Sequence, residues 1–242
     1  MPRPRRLLPA DFVYHVLNRA NERARIFNSA RDFDTFLSLM RETAHRVPMR
    51  VCAFCLMPNH WHLVLWPTVD GSISSYIHRL ATSHSVQHRR RRRSVGHGHV
   101  YQGRFRSFPV EGSSHYIRLV RYVESNPLRA GLVDRAEAWP WSSLRDRIDG
   151  PTLTQPGPVA LPDHWAEFVN AQERPDELEM LRACAGAGRP YGSTAWVARI
   201  ATEQGLDHDL SRRGRPRKSA PTTAPTVGGL ADHTARFGLM RR

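Results

Sequence analysis

The chain holds no apolar run of the roughly 18 residues that a membrane-spanning helix needs. Its basic start, MPRPRRLLPADF, is followed by too short an apolar stretch for a secretory signal. Three cysteines in 242 residues make no disulfide framework, and no internal repeat is visible. A helical membrane protein and a disulfide-stapled scaffold are thereby excluded. The expected compartment is the cytoplasm, in association with the nucleoid. Acidic residues are also scarce: 22 Asp and Glu stand against 36 Lys and Arg, a net charge of +14 with a pI near 11.1. The natural partner is a polyanion, with nucleic acid first. An unspecialised basic protein is the plainer alternative.

Periodicity gives the organisation. FVYHVLN (12–18) reads as a strand, and a polar connection carrying Arg19, Arg23 and Arg25 follows. SARDFDTFLSLMRETAHRV has apolar residues three and four apart (Phe33, Phe36, Leu37, Met40), with Ser29 as a cap and Pro48 as a stop, and reads as a helix. MRVCAFCLM is a second strand, Pro-Asn a turn and HWHLVLW a third strand. ISSYIHRLATSHSVQHRR returns to helical spacing. A basic connection, HRRRRRSVGHGHVYQG, leads to a short strand, RFRSFPV, and then to a helix, SSHYIRLVRYVESN, closed by Pro127. This order suits an α+β fold with a ferredoxin-like antiparallel sheet and helices on one face. WPWSS (139–143) looks like an aromatic clamp closing that domain.

Three regions are expected: a catalytic domain over 1–150, a linker and helical extension over 151–210, and a basic, disordered tail over 211–242. The Pro-, Gly- and Thr-rich stretch 151–162 reads as the linker. LEMLRACAGAGRPYGSTAWVARIA can be drawn as a helix–turn–helix with Ser193 capping its second helix, although packing on the catalytic domain is the favoured reading.

The stretch LMPNHWHLVLWP carries the chemistry. Strand side chains alternate, so His60 and His62 share one face while Trp61, Leu63 and Leu65 take the other. Two imidazoles on one strand face after a Pro-Asn turn suit one metal ion. A rival zinc set is suggested by the C-x-x-C spacing of Cys52 and Cys55. The apolar, glycine-free VCAFCLM argues against it: a strand places the two thiols on opposite faces, as small core hydrophobes. His97 and His99 sit in a glycine-bearing loop and read as solvated or phosphate-facing.

The helix after the fourth strand buries Tyr116, Leu119, Val120 and Val123 as a stripe. Tyr122 lies about 110° from the centre of that stripe, with Asn126 one turn on and His115 and Arg118 nearby. Tyr122 reads either as a nucleophile on the polar face or as an ordinary surface tyrosine, and Asn126 as a metal ligand or a helix end before proline.

LMPNHWHLV, YQGRFRS, RYVESNPLRAGLV and WPWSS, in this order, resemble the HUH single-tyrosine transposases, in particular the REP-associated tyrosine transposase group. The resemblance covers about residues 10–147. GRPYGSTAWV and RRGRPRK look like the C-terminal extension of part of that group. The resemblance implies that His60 and His62 are the metal pair, Tyr122 the nucleophile and Asn126 the ligand completing the metal site. The implied ion is Mg²⁺ or Mn²⁺. The implied reaction is cleavage of single-stranded DNA at repetitive palindromic hairpins, leaving a 5′-phosphotyrosine and a free 3′ hydroxyl, with reversal joining strands. The implied assembly is a monomer or homodimer. A domesticated, non-catalytic DNA-binding protein is the alternative, and a hydrolytic metalloenzyme a third reading. The run Arg89, Arg90, Arg91, Arg92 and Arg93 departs from the family pattern. These arginines, with Arg19, Arg23, Arg104, Arg106 and Arg118, are candidate DNA contacts. Arg104 and Arg106 are expected to alternate on the fourth strand. Arg213, Arg215, Arg217 and Lys218 lie in an AT-hook-like segment suited to a narrow minor groove, or in a plain basic tail.

Overall fold

The computed structural model of the protein describes residues 8–93 and 98–203. Four strands, β1 (Val13–Arg19), β2 (Met49–Met57), β3 (His60–Pro67) and β4 (Arg106–Val110), form one antiparallel sheet in the order β2-β3-β1-β4. β3 lies between β1 and β2, and β1 between β3 and β4. This is the ferredoxin-like arrangement the element order implied. Among the described residues no helix is long and apolar enough to cross a membrane.

α1 (Ala30–Arg46) and α2 (Ser72–Arg91) cover one face. α1 starts where the Asp32 carboxylate accepts from the Ser29 amide, a capping box. It ends at Val47, because the residue before Pro48 is sterically steered out of helical geometry. Its Phe33, Phe36 and Met40 pack with Ile73, Tyr76 and Leu80 of α2 and with Trp61, Leu63 and Leu65 of β3. α2 runs through Arg91, one residue past the expected helical stretch, so Arg89, Arg90 and Arg91 belong to the helix and not to the basic connection. No breaker interrupts them, and Arg91 ties the helix end to Asp32 and Thr35 of α1.

The other face is covered too, so helices on one face describes α1 and α2 alone. Val13, Val64, Phe108 and Val110 would otherwise lie bare. They pack under α3 (Ser114–Glu124), through its Tyr116, Leu119, Val120 and Val123. β2 departs from simple alternation. Val51 pairs with Leu65 and Ala53 with Val64, so Cys52 is the extra residue of a bulge. Cys52 and Cys55 therefore lie in the same layer as α3, not on opposite faces. Both are buried, and desolvation pushes the Cys52 thiol up to about 11 and that of Cys55 higher.

Neither sheet edge is left bare, which matters because unpaired strand edges invite aggregation. Beside β2, the Leu56 amide donates to the Trp141 carbonyl and the Gln155 amide to that of Val51. Trp141 stacks on Phe33 at 4.0 Å, and Trp139 Nε1 donates to Leu56 O. The stretch expected as a linker is in fact tied down. The Asp146 carboxylate accepts from the amides and hydroxyls of both Thr152 and Thr154. Beside β4, the Tyr191 amide donates to Pro109 O, and the Glu111 amide to Tyr191 O.

Five more α-helices follow α3 among the described residues: α4 (Asn126–Arg129), α5 (Ser143–Ile148), α6 (Trp165–Asn170), α7 (Pro175–Ala187) and α8 (Thr194–Glu203). α6 and α7 pack on α3, so the extension continues the second layer. At the junction lies Glu124, fully buried. It accepts from Ser143 Oγ, from Arg147 Nε at 3.1 Å and from Trp165 Nε1 at 2.6 Å. Removing one partner of a buried charge pair strands the other. Glu124→Ala is therefore expected to lower the unfolding free energy by about 3 kcal/mol or more, read from urea denaturation. A loss near zero would show that the network does not anchor α3.

Candidate functional site

β1 and β3 run antiparallel with Leu17 opposite His62 and Arg19 opposite His60. The strand ends open into a cavity of about 650 Å³ whose lining includes His60, His62, Tyr122, Asn126 and five arginines (19, 104, 106, 129 and 182). The alternation of β3 behaves as expected: Trp61, Leu63 and Leu65 enter the α1–α2 core, and the two histidines share the other side.

The imidazole rings of His60 and His62 are 5.0 Å apart between centroids. His60 Nδ1 lies 2.6 Å from Asn59 Oδ1. That oxygen only accepts, so Nδ1 carries the proton and Nε2 keeps its lone pair. His62 Nδ1 is 2.8 Å from Nε2 of His15, a buried residue of β1. Burial first, then the Arg19 charge, lowers His60 to about 4. Burial lowers His62 well below 6.5, and the neighbouring His60, His15, Arg129 and Arg19 add to the shift. Neutral imidazole is the metal-binding form, so the pair is ready to ligate at neutral pH. Among the described residues no cluster of three or more His, Cys, Asp and Glu side chains could hold an ion. The residues of the cavity that could hold a cation are the two imidazoles and the amide of Asn126. Its Nδ2 donates to Tyr122 O at 3.3 Å, leaving Oδ1 as the donor atom.

Tyr122 is 7% exposed, not a surface tyrosine. Its ring stands edge-on to His62 at 6.0 Å and to His15 at 6.2 Å. Arg129 lies over it at 4.3 Å from the ring centre, a cation–π contact. The guanidinium also donates to Tyr122 O at 2.7 Å and to Glu173 at 2.6 Å. α3 ends at Glu124, and Asn126 opens α4 with Pro127 in its first turn, where a missing amide hydrogen costs nothing. The bend still brings Asn126 and Tyr122 to the same cavity.

The other expected contacts divide. Arg19, Arg104 and Arg106 line the cavity, but β4 begins only at Arg106, so Arg104 and Arg106 do not alternate on a strand. Arg106 donates to Gly186 O at 2.8 Å. Arg118 is turned away and pairs with Glu177 of α7 at 3.1 Å, because that flank of α3 is covered by the extension. Arg23 sits in the short turn after β1, where its carbonyl accepts from Asn59. Arg89 lines a second groove, of about 760 Å³, between α2 and residues 99–105, and this groove shares Asn18, Gln102, Gly103 and Arg104 with the first. Arg90, Arg92 and Arg93 are exposed at the end of α2. His97, Arg213, Arg215, Arg217 and Lys218 lie outside the described residues.

The sequence reading missed His15, Arg129 and Arg182. Arg129 lay inside a quoted block, NPLRAG, without a role. His15 could have been noticed as a histidine inside an apolar strand. Nothing in the pattern marks Arg182, since α7 reaches the cavity only through tertiary packing.

Residues 10–126 match the family model described as Transposase IS200 like. A candidate REP-associated tyrosine transposase of Haemophilus influenzae (strain Rd) is 25% identical over 117 residues, which is 45% of this chain and 66% of the relative, just under two thirds of its length. A solved structure, titled as a REP-associated tyrosine transposase bound to a REP hairpin, superposes with a TM-score of 0.50 at 18% identity. It covers 66% of this chain and 94% of that one, a likeness of fold.

Burial of neutral histidines has a consequence for stability. His15 and His84 are lowered to about 3 and His60 to about 4, all chiefly by desolvation. Between pH 6.5 and about 4 the unfolded chain therefore binds more protons than the native one. Metal-free protein is expected to hold full stability above pH 6.5 and to lose it steadily as pH falls through that window. Urea midpoints at pH 7, 6, 5 and 4 check this, and a flat profile would contradict neutral burial.

Proposed function

We propose that this chain, whose residues 10–126 match the model of the IS200-like transposase family, is a metal-dependent endonuclease and strand transferase for single-stranded DNA, acting through Tyr122. The observation that carries the reading is the meeting of four residues from three elements, His60, His62, Tyr122 and Asn126, in one cation-lined cavity. A bound Mg²⁺ or Mn²⁺ would polarise the phosphate and offset charge building on its oxygens.

The rest is the work of the chain's own side chains. His60, His62 and the Asn126 carbonyl would hold that ion. Arg19, Arg104, Arg106 and Arg182 surround the space with positive charge, which suits a phosphodiester backbone. Arginine holds its charge at any working pH and binds phosphate with two parallel N–H groups. Arg129 holds the Tyr122 ring against the histidines. The phenol oxygen attacks phosphorus; a new O–P bond forms to the 5′ side and the bond to the 3′ oxygen breaks. The phenol proton passes, overall, to the departing 3′ hydroxyl. Attack by another 3′ hydroxyl reverses the step and joins strands, so no nucleotide cofactor is consumed. The relative bound to a REP hairpin motivates a hairpin substrate from repetitive palindromes.

Incubation with labelled hairpin oligonucleotides and Mn²⁺ or Mg²⁺ is expected to give a denaturant-stable protein–DNA adduct. Tyr122→Phe abolishes it, while His60→Ala and His62→Ala lose the adduct and retain DNA binding. An adduct that survives in Tyr122→Phe reassigns the nucleophile. Free 5′ phosphates without any adduct would make water the attacking group. Binding without cleavage, unchanged in both histidine variants, would leave a DNA-binding protein that does not turn over.

A further inference from the structure

One buried group next to the site has no part in the chemistry above. His15 of β1 is fully buried, stacked nearly parallel to His62 (9° between planes, 5.0 Å between centroids) and edge-on to Phe108 at 4.9 Å. Its Nε2 is 2.8 Å from His62 Nδ1, and its own Nδ1 is buried with no hydrogen-bond partner. A contact between two imidazole nitrogens needs one N–H and one lone pair, so the pair has two arrangements. In one, His15 Nε2–H donates to His62 Nδ1. His62 then carries its proton on Nε2, the only nitrogen left for a cation, and cannot ligate. In the other, His62 Nδ1–H donates to His15 Nε2, and Nε2 of His62 keeps its lone pair.

We propose that His15 is a positioning residue for His62: its Nε2 accepts the Nδ1 proton of His62 and so presents the lone pair of His62 Nε2 to a divalent cation. The inference rests on the proposed metal site. It gives the two ligands parallel treatment, since His60 Nδ1 is held in the same way by Asn59 Oδ1 at 2.6 Å. One acceptor comes from the β2–β3 turn and the other from the neighbouring strand. Each fixes ring orientation and tautomer together, as hydrogen-bond partners of metal-bound histidines do. The unpartnered Nδ1 of His15 argues against a purely structural role. A residue kept only to fill the space between Phe108 and His62 would do so better as phenylalanine, which strands no buried nitrogen.

That contrast supplies the test. Full-length protein is titrated with Mn²⁺ alone at pH 8, with free Mn²⁺ followed by electron paramagnetic resonance and folding followed by thermal unfolding. His15→Phe is expected to remain folded and to weaken Mn²⁺ binding by about 10- to 100-fold. His15→Gln, whose amide oxygen can accept the same proton, is expected to retain most of the affinity. A filling role predicts the reverse ranking, with phenylalanine silent and glutamine harmful. Wild-type protein that takes up no Mn²⁺ overturns the metal reading and this inference with it. Wild-type binding matched by His15→Phe overturns the inference alone. Independently of any variant, ¹⁵N spectra of wild-type protein saturated with Mg²⁺ should place the His62 proton on Nδ1; a proton on Nε2 overturns it.

Discussion

Glu124 ends α3 two residues after Tyr122, and no part of its side chain meets solvent. A carboxylate in that position is tolerable only if both oxygens are hydrogen-bonded, and here Ser143 and Arg147 donate to one and Trp165 to the other. Arg147 in turn donates to the Cys52 carbonyl at the bulge of β2. One buried charge thus ties the end of α3 to α5, to α6 and to the sheet. That tie fixes the end of α3 from which Tyr122 faces β1 and β3, beside the apolar stripe that packs the helix on the sheet.

The second layer also sets the electrostatics. With α3 and the extension over the sheet, His15, His60 and His62 lose water and remain neutral. An open sheet face would leave them to titrate near 6.5, and cation binding would then compete with protons at neutral pH. The cations around the cavity are all guanidinium groups; the chain contains a single lysine, Lys218. The Arg19 charge adds to the depression of His60 and His62, and that of Arg129 to the depression of His62. Some of the guanidinium groups are held in place by the protein itself: Arg129 by Glu173, Arg106 by the Gly186 carbonyl. Both partners belong to the extension, so residues beyond the matched family segment help shape the cavity.

Much of this was legible in local pattern. The alternation of β3, the capping of α1, its stop before Pro48 and the order of elements are all short-range effects, set by side-chain period and backbone sterics. What misled were positions where a distant contact overrode the local period. The Cys52 bulge shifted the register of β2 and moved a thiol to the other layer. Arg118 shares a helix face with Tyr122 but was taken by Glu177 of α7. The stretch 151–162 has a linker's composition, yet Asp146 and the edge of β2 hold it.

By itself, the sequence determined which candidate residues share a face, since a histidine pair on one strand face and a tyrosine beside an apolar stripe follow from periods of 2 and 3.6 residues. The tertiary structure alone decided which nitrogen of each histidine is free, why both are neutral, and which arginines join them. For His62 and Arg129 those properties depend on desolvation and on hydrogen bonds between residues 44 or more positions apart, and no local period encodes them.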